Sequence, residues 1–191
     1  MVRELISDAD KLCGELAAGG VAAVPTDTVY GLAADPRNPK AMQRLFELKE
    51  RPSGVPVAVL VGELDQAKAL IEWDGAIDDL AREHWPGALT IVGRSVDSNL
   101  ALGTLDTIGV RLPDHDLLRE CARRFGPIAC TSANRHGEPT ITNPADLDAA
   151  FGDDIEVVVD GGILEGLAST VVDMSGHPAV ILRQGVLELD L

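Results

Sequence analysis

The sequence predicts a single α/β domain of mixed α+β character, in which a mixed β-sheet is flanked by helices. Three observations carry this expectation. The chain has 191 residues, 46% of them hydrophobic, enough for one sizeable core and short for two. Short apolar runs alternate with stretches of helical spacing. Several of those runs follow one another with no helix between them, which a purely parallel sheet does not allow.

The elements follow in order. Ser7 is placed to cap a first helix over about 8–18, where Ala9, Leu12, Leu16 and Ala17 recur at helical spacing and Gly19-Gly20 ends it. An apolar strand at 21–24 comes next, and Pro25 opens the polar segment TDTVYG. Asn38 as cap and Pro39 in the first turn start a second helix that runs to about Lys49, where Pro52 and Gly54 break it. The run 55–61 reads as a strand beginning after Pro56. Helices are expected at 63–71 and 76–84, and strands at 89–92 and 108–112. Asp114 or Asp116 caps a helix through about Arg124, and 128–131 is a short strand. Asn143 with Pro144 starts a helix to about Phe151, and strands at 155–159, 170–173 and 179–183 close the chain. Two loops, 94–107 and 132–143, are long enough to suggest function.

Charge narrows the function classes. Sixteen basic against 31 acidic side chains give a net charge of -15, a field that repels phosphate backbones and anionic lipids. Aromatic residues make up 3%, few platforms for stacking unpaired bases. The three cysteines, Cys13, Cys121 and Cys130, form no CxxC pair, so neither a disulfide framework nor a zinc ribbon is indicated. The N-terminal stretch has no signal-peptide pattern and no run reaches membrane-spanning length, so a cytoplasmic protein is expected.

Several segments carry candidate chemistry. Arg111 in IGVRLP and Arg183 in AVILRQG sit inside apolar strands. A guanidinium keeps its charge, so one that faces inward needs a carboxylate or phosphate partner; the plainer reading puts both on half-exposed strands. Lys49-Glu50-Arg51-Pro52 ends a helix with cations, and the proline holds Arg51 extended. Such cations ordinarily offset a helix dipole, yet the chain has only four lysines. CTSAN, 130–134, brings Thr131, Ser132 and Asn134 to the end of a strand, either as an ordinary polar turn or as hydrogen-bonding groups for a small ligand. Ser169-Thr170 is a similar pair, and Thr26, Asp27, Thr28 and Tyr30 cluster just after an apolar strand, where α/β sheets often bind ligands. No GxxxxGK[ST], GxGxxG or GxSxG motif occurs. The histidines His84, His115, His136 and His177 lack metal-ligand spacing and read as surface or loop residues.

Taken in order, VPTDTVYGLAADP, LKERP, HWPGALTIV, GVRLPDH, CTSAN with GEPTITNP, LASTVVDM and ILRQG resemble the YrdC family of threonylcarbamoyl-AMP synthases over nearly the whole chain. The resemblance implies one twisted mixed sheet flanked by helices around a deep concave site, spanning 1–191 as a YrdC-like domain of the short type. It implies synthesis of threonylcarbamoyl-adenylate and pyrophosphate from L-threonine, bicarbonate and ATP with Mg2+, for modifying the adenosine next to the anticodon of tRNA. Threonine would be held by Thr28, Arg111, Ser132 and Ser169, and ATP by Arg51, Thr107, Asn134, Thr142 and Arg183. Lys49 and Arg51 would be the catalytic cations. No protein-bound metal cluster and no membrane are implied, and a tRNA threonylcarbamoyl transferase would take the product; the negative charge leaves direct tRNA binding weak or absent. Relatives often carry a polar residue at Val55 and a histidine near Leu60; both are apolar here and are left out of the expected site. Two other readings stand beside this one: a YrdC-like RNA-binding module without synthase activity, and a carbamoyl-adenylate domain of the kind embedded in larger hydrogenase-maturation proteins.

Overall fold

Strand β2, Ala22–Pro25, is buried along its length and pairs antiparallel with β3, Tyr30–Ala34, through a polar turn. The computed structural model describes residues 4–50, 57–96, 99–102, 106–155, 157–164 and 166–189. The remaining strands are β1, Glu4–Ile6; β4, Ala58–Leu60; β5, Leu89–Arg94; β6, Thr107–Arg111; β7, Ile128–Ser132; β8, Val157–Val159; β9, Thr170–Asp173; and β10, Val180–Arg183. They form one sheet in the order β1-β8-β2-β3-β7-β4-β6-β5-β9-β10. Pairs such as β2 with β8 and β5 with β9 are parallel, while β3 with β7 and β5 with β6 are antiparallel, so the sheet is mixed as expected.

Helices α1, Ala9–Ala17, and α5, Asp116–Phe125, pack against each other on one face, where Leu12, Leu16, Leu118 and Ala122 meet Ala22, Val24, Ala33 and Ile128. On the opposite face lie α2, Pro39–Leu48; α3, Leu64–Lys68; α4, Gly75–His84; and α6, Pro144–Phe151. Their residues Met42, Leu45, Ile77, Leu147 and Phe151 join Ala23, Leu32, Val59, Ile91, Val110 and Val172 in the larger core. No helix among the described residues is long and apolar enough to cross a membrane.

The side-chain period of two explains how this sheet makes a site. In β6, Ile108 and Val110 point into the larger core, while Thr107, Gly109 and Arg111 share the other face. In β5, Leu89 and Ile91 go to the core and Thr90 and Val92 to that same other face. These alternate residues belong to neither apolar cluster.

Local signals account for most boundaries. The Asn38 side chain accepts from Lys40 N at 3.0 Å and Ala41 N at 3.3 Å, and Asn143 from Ala145 N at 3.0 Å, each with proline in the first turn. Four expectations are corrected. The cap of α1 is Asp8, not Ser7, its carboxylate accepting from Lys11 N at 2.9 Å. The cap of α5 is His115, whose Nδ1 accepts from Leu118 N at 3.4 Å, rather than Asp114 or Asp116. The 63–71 helix is shorter, Leu64–Lys68: Ala69 caps its C-terminus and Ile71 instead forms an antiparallel bridge with Ser95. Two strands were not expected: β1, which continues the sheet alongside β8, and β3, whose YGLAA composition is poor in strand formers. β3 needs small residues: a Cβ on Gly31 would overlap Cys130 Sγ. Arg51 and Val55 lie outside the described residues.

Candidate active site

The turn between β2 and β3 is built by one hydroxyl. Thr26 Oγ1 accepts from Thr28 N and Val29 N, both at 3.1 Å, donates to Val29 O at 2.7 Å, and lies 2.8 Å from Thr28 Oγ1. This fixes Thr28, 2% exposed, and lifts Asp27 to the tip of the turn. Arg111, at the end of β6 and 5% exposed, closes on both. Its Nε donates to Gly87 O at 3.0 Å, one terminal nitrogen to Thr28 Oγ1 at 3.0 Å, and the other to Asp27 Oδ1 at 2.7 Å. A buried cation is thus held by a carboxylate, a hydroxyl and a carbonyl in the planar fork that guanidinium geometry favours. Asp27 also faces His115, whose pKa burial lowers and whose fall the Asp27 carboxylate opposes.

A second cationic group forms where α2 ends. Lys49 is 3% exposed, and its Nζ donates to Ser132 O at 2.7 Å and Asn134 Oδ1 at 2.6 Å. Ser132 Oγ donates to the same Asn134 oxygen at 2.7 Å, and Asn134 Nδ2 is tied to Glu138 O at 2.6 Å. The loop after β7 is therefore shaped by the lysine, and Lys49 O in turn accepts from His136 N at 2.9 Å.

Arg183 supplies the third cation. A register shift in β10 between Ile181 and Arg183 turns both Leu182 and Arg183 toward the same side, as a bulge does. Arg183 Nε and a terminal nitrogen donate to Ser169 O at 3.0 and 2.9 Å, and that terminal nitrogen also to Ser169 Oγ at 3.1 Å. Its pKa is lowered first by burial of the guanidinium and then by the charge of Arg111. Two guanidinium groups thus feel each other across one space.

That space is a cavity of about 460 Å³, within the range of ordinary small-molecule sites. Of the residues singled out from sequence, Thr28, Lys49, Thr107, Arg111, Ser132, Asn134, Ser169 and Arg183 all line it. Thr142 does not; its carbonyl accepts from Leu164 N at 2.8 Å on the loop outside the lining. Leu60 does line the cavity, 3% exposed, although its apolar character had excluded it. Cys130 lies on the floor, and burial pushes its thiol up to about 12, so it stays protonated. Sequence reasoning missed Thr90, which lines the cavity 2.9 Å from Ser169 Oγ, and treated Asp27 only as one member of a polar cluster. Among the described residues no group of three or more His, Cys, Asp or Glu side chains is placed to hold a metal ion.

Known proteins resemble this chain in sequence and in fold. The family model Sua5_yciO_yrdC, described as telomere recombination, matches residues 15–185. The threonylcarbamoyl-AMP synthase of Pyrococcus abyssi is 38% identical over 184 residues, which is 93% of this chain and 54% of that protein. That of Chromohalobacter salexigens is 37% identical over 180 residues, 87% of this chain and 94% of the relative. The crystal structure of P. abyssi Sua5 complexed with L-threonine superposes with a TM-score of 0.88 at 35% identity, covering 96% of this chain and 56% of that one. The chain therefore spans little more than half the length of the archaeal relative.

Proposed function

This chain belongs to the Sua5/YciO/YrdC family, and from that membership we propose that it is a threonylcarbamoyl-AMP synthase. It joins L-threonine, bicarbonate and ATP into threonylcarbamoyl-adenylate and pyrophosphate, for modification of the adenosine next to the anticodon in tRNA. The observation that carries the reading is the convergence of Arg111, Arg183 and the buried Lys49 on one cavity whose lining also includes the hydroxyls of Thr28, Thr90, Ser132 and Ser169. Three permanent or near-permanent cations around a hollow suit a substrate pair bearing one carboxylate and a triphosphate.

In this proposal residues 1–191 act as one YrdC-like domain. Threonine lies at the Arg111 end, against Thr28, Ser132 and Ser169. Three of the five N–H donors of Arg111 are engaged by Gly87, Thr28 and Asp27, and the other two take the substrate carboxylate. ATP lies toward Arg183, with Thr107 and Asn134 beside it and Arg51 joining from the segment after α2. Thr142 reaches the nucleotide only if the 132–143 loop moves. Magnesium arrives on the nucleotide, as part of the substrate.

The chemistry is a two-step transfer. The threonine amine adds to CO2 with loss of a proton, or condenses with bicarbonate with loss of water, to give a carbamate, and a carbamate oxygen then attacks the α-phosphorus of ATP, releasing pyrophosphate. Lys49, Arg51 and Arg183 spread the charge that gathers on the phosphate oxygens, and Lys49 also keeps Ser132 and Asn134 in place. A carbamate decomposes readily in water, so the cavity walls must shield it until the adenylate forms. The product passes to a tRNA threonylcarbamoyl transferase in the cytoplasm, and the net charge of -15 keeps direct tRNA binding weak.

The test is pyrophosphate release from protein, MgATP, threonine and bicarbonate. Release is expected to stop when either threonine or bicarbonate is omitted. Release that continues without one of them would overturn the synthase reading.

A further inference from the structure

The buried pair Thr90 and Ser169 carries an inference beyond these assignments. Both residues line the cavity and each is 5% exposed. Their hydroxyl oxygens are 2.9 Å apart. Ser169 Oγ also lies 3.1 Å from a terminal nitrogen of Arg183. A guanidinium only donates, so the serine oxygen must accept there.

The proton count then has two solutions. If Thr90 donates to Ser169, both serine lone pairs are occupied and the serine proton has to point away from the pair, into the cavity. If Ser169 donates to Thr90, the threonine keeps its own proton for the cavity. The first arrangement offers a ligand the Ser169 proton in a set direction; the second offers the Thr90 proton instead and leaves Ser169 with none to give. Without Thr90, the serine hydroxyl would rotate about a single constraint.

The Thr90 side chain is itself held. It is β-branched and so stiff about χ1. Its Cγ2 lies over Gly109, where an added Cβ would come within 3.1 Å of that methyl. Glycine at 109 leaves the methyl its seat, and the seat aims Oγ1 at Ser169. The neighbouring Arg183 is the nucleotide-side cation, while Ser169 faces the amino-acid end, so the hydroxyl pair stands at the junction of the two substrates.

We propose that the first arrangement holds and that Thr90 is a positioning residue for the amino-acid substrate: its hydroxyl donates to Ser169 Oγ, so the Ser169 proton meets threonine in a preset direction. This rests on the synthase reading above. A single neutral hydrogen bond fixed in this way is worth roughly three- to tenfold in affinity.

Calorimetric titration of the full chain with L-threonine, and separately with MgATP, tests it. Thr90→Val, close in shape but without the hydroxyl, is expected to weaken threonine binding roughly three- to tenfold and to leave MgATP binding within about twofold. Thr90→Ser, which restores the hydroxyl, is expected to recover most of the loss. Steady-state kinetics should show the same split, a raised KM for threonine with the KM for ATP little changed. A purely structural role would lower both affinities together with the melting temperature and would not be rescued by serine. If the wild-type protein binds threonine and Thr90→Val binds it equally well, the assignment of Thr90 is wrong and the synthase reading stands. If the wild type binds no threonine, the substrate reading fails, and Thr90 with it.

Discussion

In the proposed reading Arg111 is the residue on which the amino-acid end of the cavity turns, and its surroundings say what its loss would do. Truncation to alanine removes the cation and leaves the Asp27 carboxylate, with 13% of its side chain exposed, facing an empty wall. A ligand carboxylate would then lose its charged partner and meet a repulsive one. Arg111→Ala is expected to weaken threonine binding by about 3 kcal/mol, more than a hundredfold. MgATP binding should change by no more than about threefold, since Lys49 and Arg183, the cations proposed for the nucleotide, have their own anchors. Equal losses for both ligands in calorimetry would contradict the division of the cavity. Arg111 and Arg183 were legible in the sequence because a permanent charge inside an apolar run demands a partner. Their partners were less so: Asp27 and Arg111 are separated by 84 positions, and only the folded sheet brings them together. Thr90 was hidden for a different reason. Threonine is a good strand former, so one hydroxyl in LTIV reads as strand chemistry rather than as a site.

At the scale of elements, the segment between β8 and β9 shows how a connection without regular structure becomes part of a wall. Tyr30 OH accepts from Gly161 N and donates to Gly162 O, both at 2.9 Å, which pins the start of the segment to β3. Leu164 N then bonds to Thr142 O, and Gly166 runs so close to Thr28 that an added Cβ would overlap the Thr28 backbone. Backbone cannot yield as a side-chain tip can, so Gly166→Ala must push this segment off Thr28 or move the turn itself. The expected cost is about 1–3 kcal/mol, roughly a 3–10 °C fall in melting temperature, accompanied by weaker threonine binding. Gly176→Ala is the control, because nothing lies within 4 Å of the added methyl there, and it should be nearly silent in both measurements. A Gly166→Ala protein as stable and as avid as wild type would show that the segment does not support Thr28. The sequence marked the strands at either end of this segment through their valine runs, but not its path. Close backbone approach leaves only a glycine behind, and the same letter serves turns and caps elsewhere. β3 escaped notice on similar grounds, since packing between two strands and two helix layers selects small residues over strand formers.

Across the whole molecule the dominant electrostatic fact is the imbalance of 31 acidic over 16 basic side chains, a net charge of -15 on 191 residues. Two of the cations, Lys49 and Arg111, are buried beside the cavity, so they do little to neutralise the outer surface. Surface carboxylates therefore repel one another in the folded state more than in the expanded chain, and the fold carries that strain at low ionic strength. Screening length decides how much. It is about 30 Å at 0.01 M salt, long enough to couple charges across the molecule, and about 8 Å at 0.15 M, where only neighbours interact. The melting temperature should consequently rise by roughly a few degrees as NaCl goes from 10 to 150 mM, most steeply in the first part of that range. Local ion pairs such as Arg82 with Asp78 and Arg119 with Asp116 pull the other way, because screening weakens attraction as well. Exposed pairs of this kind contribute at most about 1 kcal/mol each, and a surplus of 15 unbalanced negative charges outweighs them. Thermal melts at constant pH across the salt series decide the matter: a melting temperature that is flat or falls with added salt would mean that the surface charges are locally compensated, and that the global imbalance has no hold on the stability of the fold.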